Sequence, residues 1–268
     1  MILMIKFKED KNSLLNRINI HKQYGQKDIT KWISSFVPRK KNLKILDLAC
    51  GDGSQTLKIL NHLKLKKIKT KILATDSNKK LIDTAKKKNK NKNIEYKIVN
   101  FDKSMDIADN YYDVVLCLFG IYYAKNIDKT LKEIKKKINK NGKIILVGPL
   151  RDNKIDFNNI LENAANKKLP KLIGSSRFDS VIYKSTKKKL INTKIKKFSN
   201  VLKIKDKNVF INYTLSSITN KRGVYKKFLK NRNINQIRNN IIIITNKILM
   251  QKKYLTISKK VGAIIARK

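Results

Sequence analysis

Long apolar runs, cysteine and acidic side chains are all scarce in this 268-residue chain, and each scarcity removes a class of protein. Uninterrupted apolar stretches, such as residues 241–244 and 261–265, fall far short of the roughly 18 residues needed to cross a bilayer. A membrane is therefore not expected as a partner. The opening MILMIKFKEDKN holds too short an apolar stretch for a signal sequence and lacks a small-residue cleavage site, which points to the cytoplasm. Two cysteines, Cys50 and Cys117, make neither a disulfide framework nor a zinc cluster, and no His/Cys pair has metal-ligand spacing. No metal is expected. At 41% apolar, the chain can bury the core of one α/β domain with insertions.

Acids number 19 against 64 Lys and Arg, a net charge of +45 that ordinarily directs attention to nucleic acid or an anionic surface. Only 8 of the 64 are Arg, the side chain favoured for bidentate phosphate and base recognition. Lys, Asn and Ile share A/T-rich codons, so drift in an A/T-biased genome explains the composition better than a selected polyanion surface. The placement of charge is uneven. Nine acids fall between Asp47 and Asp113, whereas residues 181–268 carry 24 basic residues and one acid, Asp206. Drift alone does not produce that contrast.

From residue 43 to 147, short runs rich in Ile, Leu and Val alternate with amphipathic stretches: LKILDLA, SQTLKILNHLKL, KILATD, KKLIDTAKKK, IEYKIVNFD, YDVVLCLFG, IDKTLKEIKKKI and GKIILVGP. This pattern predicts a doubly wound α/β core, a parallel sheet covered on both faces by helices. The helix over 125–139 is expected to stop at Asn141-Gly142, and Pro149 to close the strand after it. Residues 13–37 read as one or two helices broken around Tyr24-Gly25. Beyond the core, 155–190 is helix-leaning, 194–204 alternates like a strand and 206–250 reads as helical despite its β-branched residues. The last strand is expected over 254–266.

The segment ILDLACGDGSQT places an acid, Asp47, at the end of a buried strand, then Gly51 and Gly53, then a helix. Glycines at such a turn permit positive φ and close approach of a ligand, while the helix start offers unpaired N–H groups. A polar ligand fits there. A dinucleotide fingerprint would read G-x-G-x-x-G, and Thr56 stands where its third glycine belongs, which disfavours a pyrophosphate cofactor. The next strand ends at Asp76, whose carboxylate can accept both hydroxyls of a ribose, its alternative being to cap the following helix alongside Ser77 and Asn78. The third ends in IVNFD, so that Asp102 can accept from the exocyclic amine of an adenine and Phe101 can stack on it. The alternative for Asp102 is a surface turn acid.

In that order, DLACGDG, ATD, NFD, YYDVVLCLFGIYY and NGKIILVGP resemble the class I S-adenosylmethionine-dependent methyltransferases over roughly residues 40–150. The family's commonest loop has glycine where this chain has Ala49. The resemblance implies a Rossmann-like seven-stranded sheet with an antiparallel last strand, and S-adenosylmethionine as cofactor. It implies that Asp47 orients the methionine end of the cofactor beside Ala49, Gly51 and Gly53. Asp76, with Ser77 next to it, would hold the ribose; Phe101, Asp102 and Lys103 would frame the adenine. Leu118 and Phe119 would face the cofactor and the reaction chamber. The chain would then divide into an N-terminal helical cap (1–40), a cofactor-binding core (41–150), and helical substrate-cap insertions with the final strands of the same domain (151–268).

Methyl transfer from a sulfonium is an in-line displacement with a good leaving group, so alignment and exclusion of water matter more than a fixed catalytic set. If the acceptor must lose a proton, His21, Tyr24, Tyr122 and Tyr123 are base candidates by position, whereas His62, inside the helix after the glycine loop, reads as structural. After the fourth strand the chain reads Leu118-Phe119-Gly120-Ile121. It lacks the Asn/Asp-Pro-Pro-aromatic tetrad of nucleic-acid adenine methylation, and neither cysteine lies beside the proline that pyrimidine-carbon methylation uses. The insertions at 151–190 and 206–250 resemble the caps of small-molecule enzymes. The expected function is O- or N-methylation of a small or carrier-tethered acceptor. Nucleic acid is the disfavoured partner, an RNA methyltransferase using the basic C-terminal third being the alternative. A scaffold that kept the fold without the cofactor is the third reading. Oligomeric state is not legible.

Overall fold

The computed structural model describes residue 20 and residues 23–169, 173–218, 228–229 and 232–268. Seven strands, β1 (Leu43–Leu48), β2 (Thr70–Asp76), β3 (Ile94–Ile98), β4 (Tyr112–Leu118), β5 (Ile138–Pro149), β6 (Ile191–Ile204) and β7 (Leu255–Arg267), form one sheet in the order β3-β2-β1-β4-β5-β7-β6. Strands β1 to β5 pair in parallel, and β7 runs antiparallel to β5, with Lys143 opposite Arg267 and Pro149 opposite Val261. This is the seven-stranded sheet with an antiparallel last strand that the sequence leads one to expect.

The described chain falls into two compact units. The sheet unit comprises Asp28–Arg151, Ile173–Phe198 and Val261–Lys268, and the helical unit comprises the described residues among 20–27, 152–169 and 199–260. In the sheet unit, helices α1 (Ile29–Ser34), α2 (Ser54–Leu65), α3 (Lys79–Lys88) and α4 (Ile127–Lys137) accompany the parallel strands. Alternate residues of β1 face opposite ways. Leu43 and Ile45 pack with Ile59 and Leu63 of α2, whereas Leu46 and Leu48 pack with Leu131 and Ile134 of α4. Every residue of β4 is buried, as a strand covered on both faces requires.

Helix α4 ends earlier than its sequence predicts. Its last residue is Lys137, and Ile138 is already extended (φ −77°, ψ 135°) as the first residue of β5. Gly142 is no left-handed terminator: a Cβ there would lie 2.3 Å from Ile138 Cγ2 and 2.9 Å from the Tyr112 carbonyl oxygen. The glycine serves close approach within a bulged strand, where Tyr112 pairs with Ile138 and Val114 with Lys143. The buried Lys137 ammonium donates to the carbonyls of Met105 and Ile107 and to Asp109, pinning the β3–β4 connection where the helix stops.

Farther along the sheet unit, α6 (Ile173–Arg177), a π-helical turn (Phe178–Ile182) and α7 (Tyr183–Lys189) follow one another. The helical unit holds α5 (Ile155–Ala165), α8 (Lys207–Ile218) and α9 (Ile234–Gln251) around a core of Phe157, Phe210, Tyr213, Ile237 and Ile241. Helix α9 forms despite its run of four isoleucines because Ile237, Ile241 and Thr245 recur at helical spacing on the buried face. Asn233 caps it, accepting from the N–H groups of Asn235 and Gln236. No helix among the described residues is long and apolar enough to cross a membrane.

Candidate functional site

The connection leaving the carboxyl end of β1 runs to β2 on one side, whereas the chain returns from β3 to β4 on the other, so the strand order reverses at β1 and a crevice opens at its carboxyl end. The β1–α2 turn lines that opening with three left-handed residues, Ala49 (φ 57°), Gly51 (φ 60°) and Gly53 (φ 72°). A Cβ on Gly51 would meet nothing within 4 Å, whereas on Gly53 it would lie 2.5 Å from the Tyr96 hydroxyl. Gly53 thus lets β3 close against the start of α2. Gly53→Ala is expected to cost about 2 kcal/mol of stability, combining left-handed strain with the collision. Urea denaturation measures it, and adding Tyr96→Phe should recover part of the loss by removing the colliding oxygen.

Two carboxylates hold the turn from behind. Asp76 accepts from the Gly51 N–H through Oδ2 (3.0 Å) and from the Asn78 N–H through Oδ1 (2.9 Å). Asn78, not Asp76, caps α3, accepting from the Lys80 N–H. Asp47 is buried, 1% exposed; its Oδ2 accepts the Thr56 hydroxyl at 2.6 Å, and its Oδ1 has no hydrogen-bond partner among the described residues. Burial above all, aided by the nearby Asp76 charge and opposed by the Thr56 bond, pushes Asp47 up to about 7. Burial, joined by the Asp47 and Asp76 carboxylates, also pushes both thiols, Cys50 and Cys117, well above the usual range. They stay protonated and are poor nucleophiles.

A cleft of about 150 Å³ beside this turn is lined by Ala49, Asp76, Ser77, Asn100, Phe101, Asp102 and Tyr123. It brings together five of the residues singled out in the sequence for the cofactor and one base candidate, Tyr123. Asn100 was not singled out. Its side chain accepts from the Asp102 N–H at 2.9 Å and so shapes the IVNFD turn, a role that the turn-forming Asn two residues before an acid signals. Asp102 in turn accepts from the Lys125 N–H.

Leu118 is buried in the core, and Phe119, left-handed (φ 58°) and 38% exposed, leaves the end of β4. Neither lines the cleft. Tyr122 and Tyr123 form the 3-10 turn that follows, their rings 4.5 Å apart. Arg177, another residue the sequence did not single out, donates to the carbonyls of Tyr122 and Ala124 and braces that turn. No local signal could reveal a contact spanning so much chain. Tyr24 packs against the core of the helical unit, and His21 lies outside the described residues. No group of three or more His, Cys, Asp or Glu among the described residues could hold a metal ion.

The family profile described as "Methyltransferase domain" matches residues 46–146. The ubiquinone/menaquinone biosynthesis C-methyltransferase UbiE of Rickettsia prowazekii is 30% identical over 120 residues, 42% of this chain and 48% of that protein. The ubiquinone biosynthesis O-methyltransferase of Pelagibacter ubique is 33% identical over 105 residues, 38% of this chain and 40% of that protein. The chain thus spans about half the length of the curated relatives it matches. In fold, YcgJ of Bacillus subtilis superposes over 89% of this chain and 97% of its own, with a TM-score of 0.54 at 11% identity. A Bacillus halodurans protein provisionally assigned as a methyltransferase does so over 90% and 98%, with a TM-score of 0.55 at 15% identity.

Proposed function

Because residues 46–146 form a class I S-adenosylmethionine-dependent methyltransferase domain, with S-adenosylmethionine as its cofactor, we propose that this protein methylates a small-molecule acceptor. The observation that carries the reading is the position of Asp76, whose carboxylate both anchors the Gly51 turn and lines the cleft beside Phe101 and Asp102. Each Asp76 oxygen, already holding one N–H, keeps a lone pair for a ribose hydroxyl. Asp102 accepts from the adenine amine while the Phe101 ring covers the base. The unpartnered Oδ1 of Asp47 supplies a negative charge for the cationic end of the cofactor, and the open space at Gly51 lets the backbone come close to it.

When bound, S-adenosylmethionine supplies a methyl group on a positively charged sulfur. The chain's own part is to align the acceptor in line with that bond and to exclude water. Tyr123, at the cleft, is the base candidate best placed to take a proton from an acceptor hydroxyl, with Arg177 holding its turn. The relatives named as C- and O-methyltransferases of quinone biosynthesis favour a carbon or oxygen acceptor on a small molecule. The insertions within 151–268 are the proposed substrate cap. Incubation with radiolabelled cofactor should place label in a small-metabolite extract and not in total RNA. Saturable, site-specific label in RNA would overturn the choice of acceptor, and no label in either would favour a scaffold that kept the fold.

A further inference from the structure

Three lysines of the basic C-terminal third meet around one aromatic ring in the helical unit. Lys203 and Lys205 stand on the exposed side of β6 and its exit, where Leu202 and Ile204 between and beside them are buried. Their ammonium groups lie 5.6 and 5.9 Å from the centroid of the Tyr254 ring, and that of Lys253 lies 5.9 Å from it. The ring attracts each ammonium, but three like charges around it repel one another, and an external anion would relieve that repulsion. Helix α9 leads into this cluster. Ile243, Asn246, Lys247 and Met250 share one of its faces by spacing, and the Lys207 ammonium donates to the Asn246 side-chain oxygen at 3.1 Å. On that face Ile243 is 64% and Met250 87% exposed. Asp206, the one acid after residue 181, turns its carboxylate to the Asn208 N–H.

We propose that the Tyr254 lysine cluster and the exposed face of α9 form a docking surface for an anionic lipid bilayer. Lysines flanking large exposed apolar side chains suit a lipid interface, where ammonium groups meet phosphates while Met250 and Ile243 enter the acyl boundary. A nucleic acid would gain nothing from those two side chains. It would need an aromatic face open for base stacking, and the Tyr254 ring is attended by ammonium groups. Such contact lies on the membrane surface and needs no helix long and apolar enough to cross it, of which there is none among the described residues.

The test is sedimentation of the full chain with vesicles at physiological salt. Binding is expected to vesicles of phosphatidylglycerol and phosphatidylcholine in equal parts and not to phosphatidylcholine alone. The pair Ile243→Ser with Met250→Ser, which leaves charge unchanged, should weaken it about tenfold. Replacing Lys203, Lys205 and Lys253 by Gln should weaken it about tenfold as well, whereas the same change at Lys129, Lys132 and Lys187 of the sheet unit should cost no more than about twofold. Circular dichroism checks that each variant is folded. Equal effects from the two lysine sets, or no effect from the apolar pair, would show nonspecific attraction and overturn the proposal. In a parallel sedimentation with total RNA, variants that lose RNA binding while keeping vesicle binding would overturn it too.

Discussion

Asp76→Ala is expected to weaken S-adenosylmethionine binding roughly a hundredfold while leaving a folded protein. Hydrogen bonds to a charged group are worth about 1.5–3 kcal/mol each, and the substitution removes the acceptors proposed for both ribose hydroxyls. It also orphans the Gly51 N–H, so the turn loses the carboxylate that holds it 3.0 Å away. Asp76→Asn keeps one acceptor oxygen and should fall between wild type and alanine. Titration calorimetry with cofactor measures all three, and circular dichroism confirms folding. Unchanged affinity in folded Asp76→Ala would remove the ribose assignment and with it the reading of the cleft.

Asp47 should make both stability and cofactor affinity depend on pH. Its folded pKa, about 7, lies above the ordinary 3.8, so between those values the folded protein binds a proton that the unfolded chain has lost. Stability from this group is complete below pH ~4, declines as pH rises, and is lost above pH ~7, about 4 kcal/mol in all. Other carboxylates, such as Asp113 and Asp52, are held low despite partial burial, by Lys40, the Lys44 N–H and Asn139 in the first case and by Lys88 and Ser54 in the second. They act in the opposite direction, so the informative quantity is the difference between wild type and Asp47→Asn. That difference should move by about 4 kcal/mol in favour of Asn between pH 4 and pH 7, measured by urea denaturation without cofactor.

A cationic ligand prefers the ionised carboxylate. Wild-type affinity for S-adenosylmethionine should therefore rise up to about tenfold per pH unit below pH 7 and level off above it, with proton release on binding. The slope should vanish in Asp47→Asn. A slope that persists there would place the titrating group elsewhere, and a flat wild-type profile would separate Asp47 from the cofactor.

The glycine turn and the strand-end acids were legible because their signals are local. The acid that ends a buried strand and two spaced glycines fall within seven consecutive residues, DLACGDG, and acids ending or following the next two strands, at Asp76 and in NFD, repeat the same logic one and two βα units later. Asn141-Gly142 misled for a related reason. The pair is a strong local stop signal, yet pairing of Ile138 with Tyr112 and the anchoring of Lys137 end α4 four residues before it. Helix α9 reverses the case, since its β-branched run argues weakly for a helix and burial of Ile237, Ile241 and Thr245 prevails.

By itself, then, the sequence determined the alternation of strands and helices, the loop that opens at the end of β1 and the acids at the strand ends, because each depends on neighbours a few residues away. Tertiary structure alone decided that Thr56 holds Asp47, that Asp76 holds Gly51 and that Arg177 braces the Tyr122 turn. It also built each compact unit from three separate stretches of chain. Those outcomes follow from which buried polar groups meet once the sheet closes, and a buried donor or acceptor must find its partner in space whatever the distance along the chain.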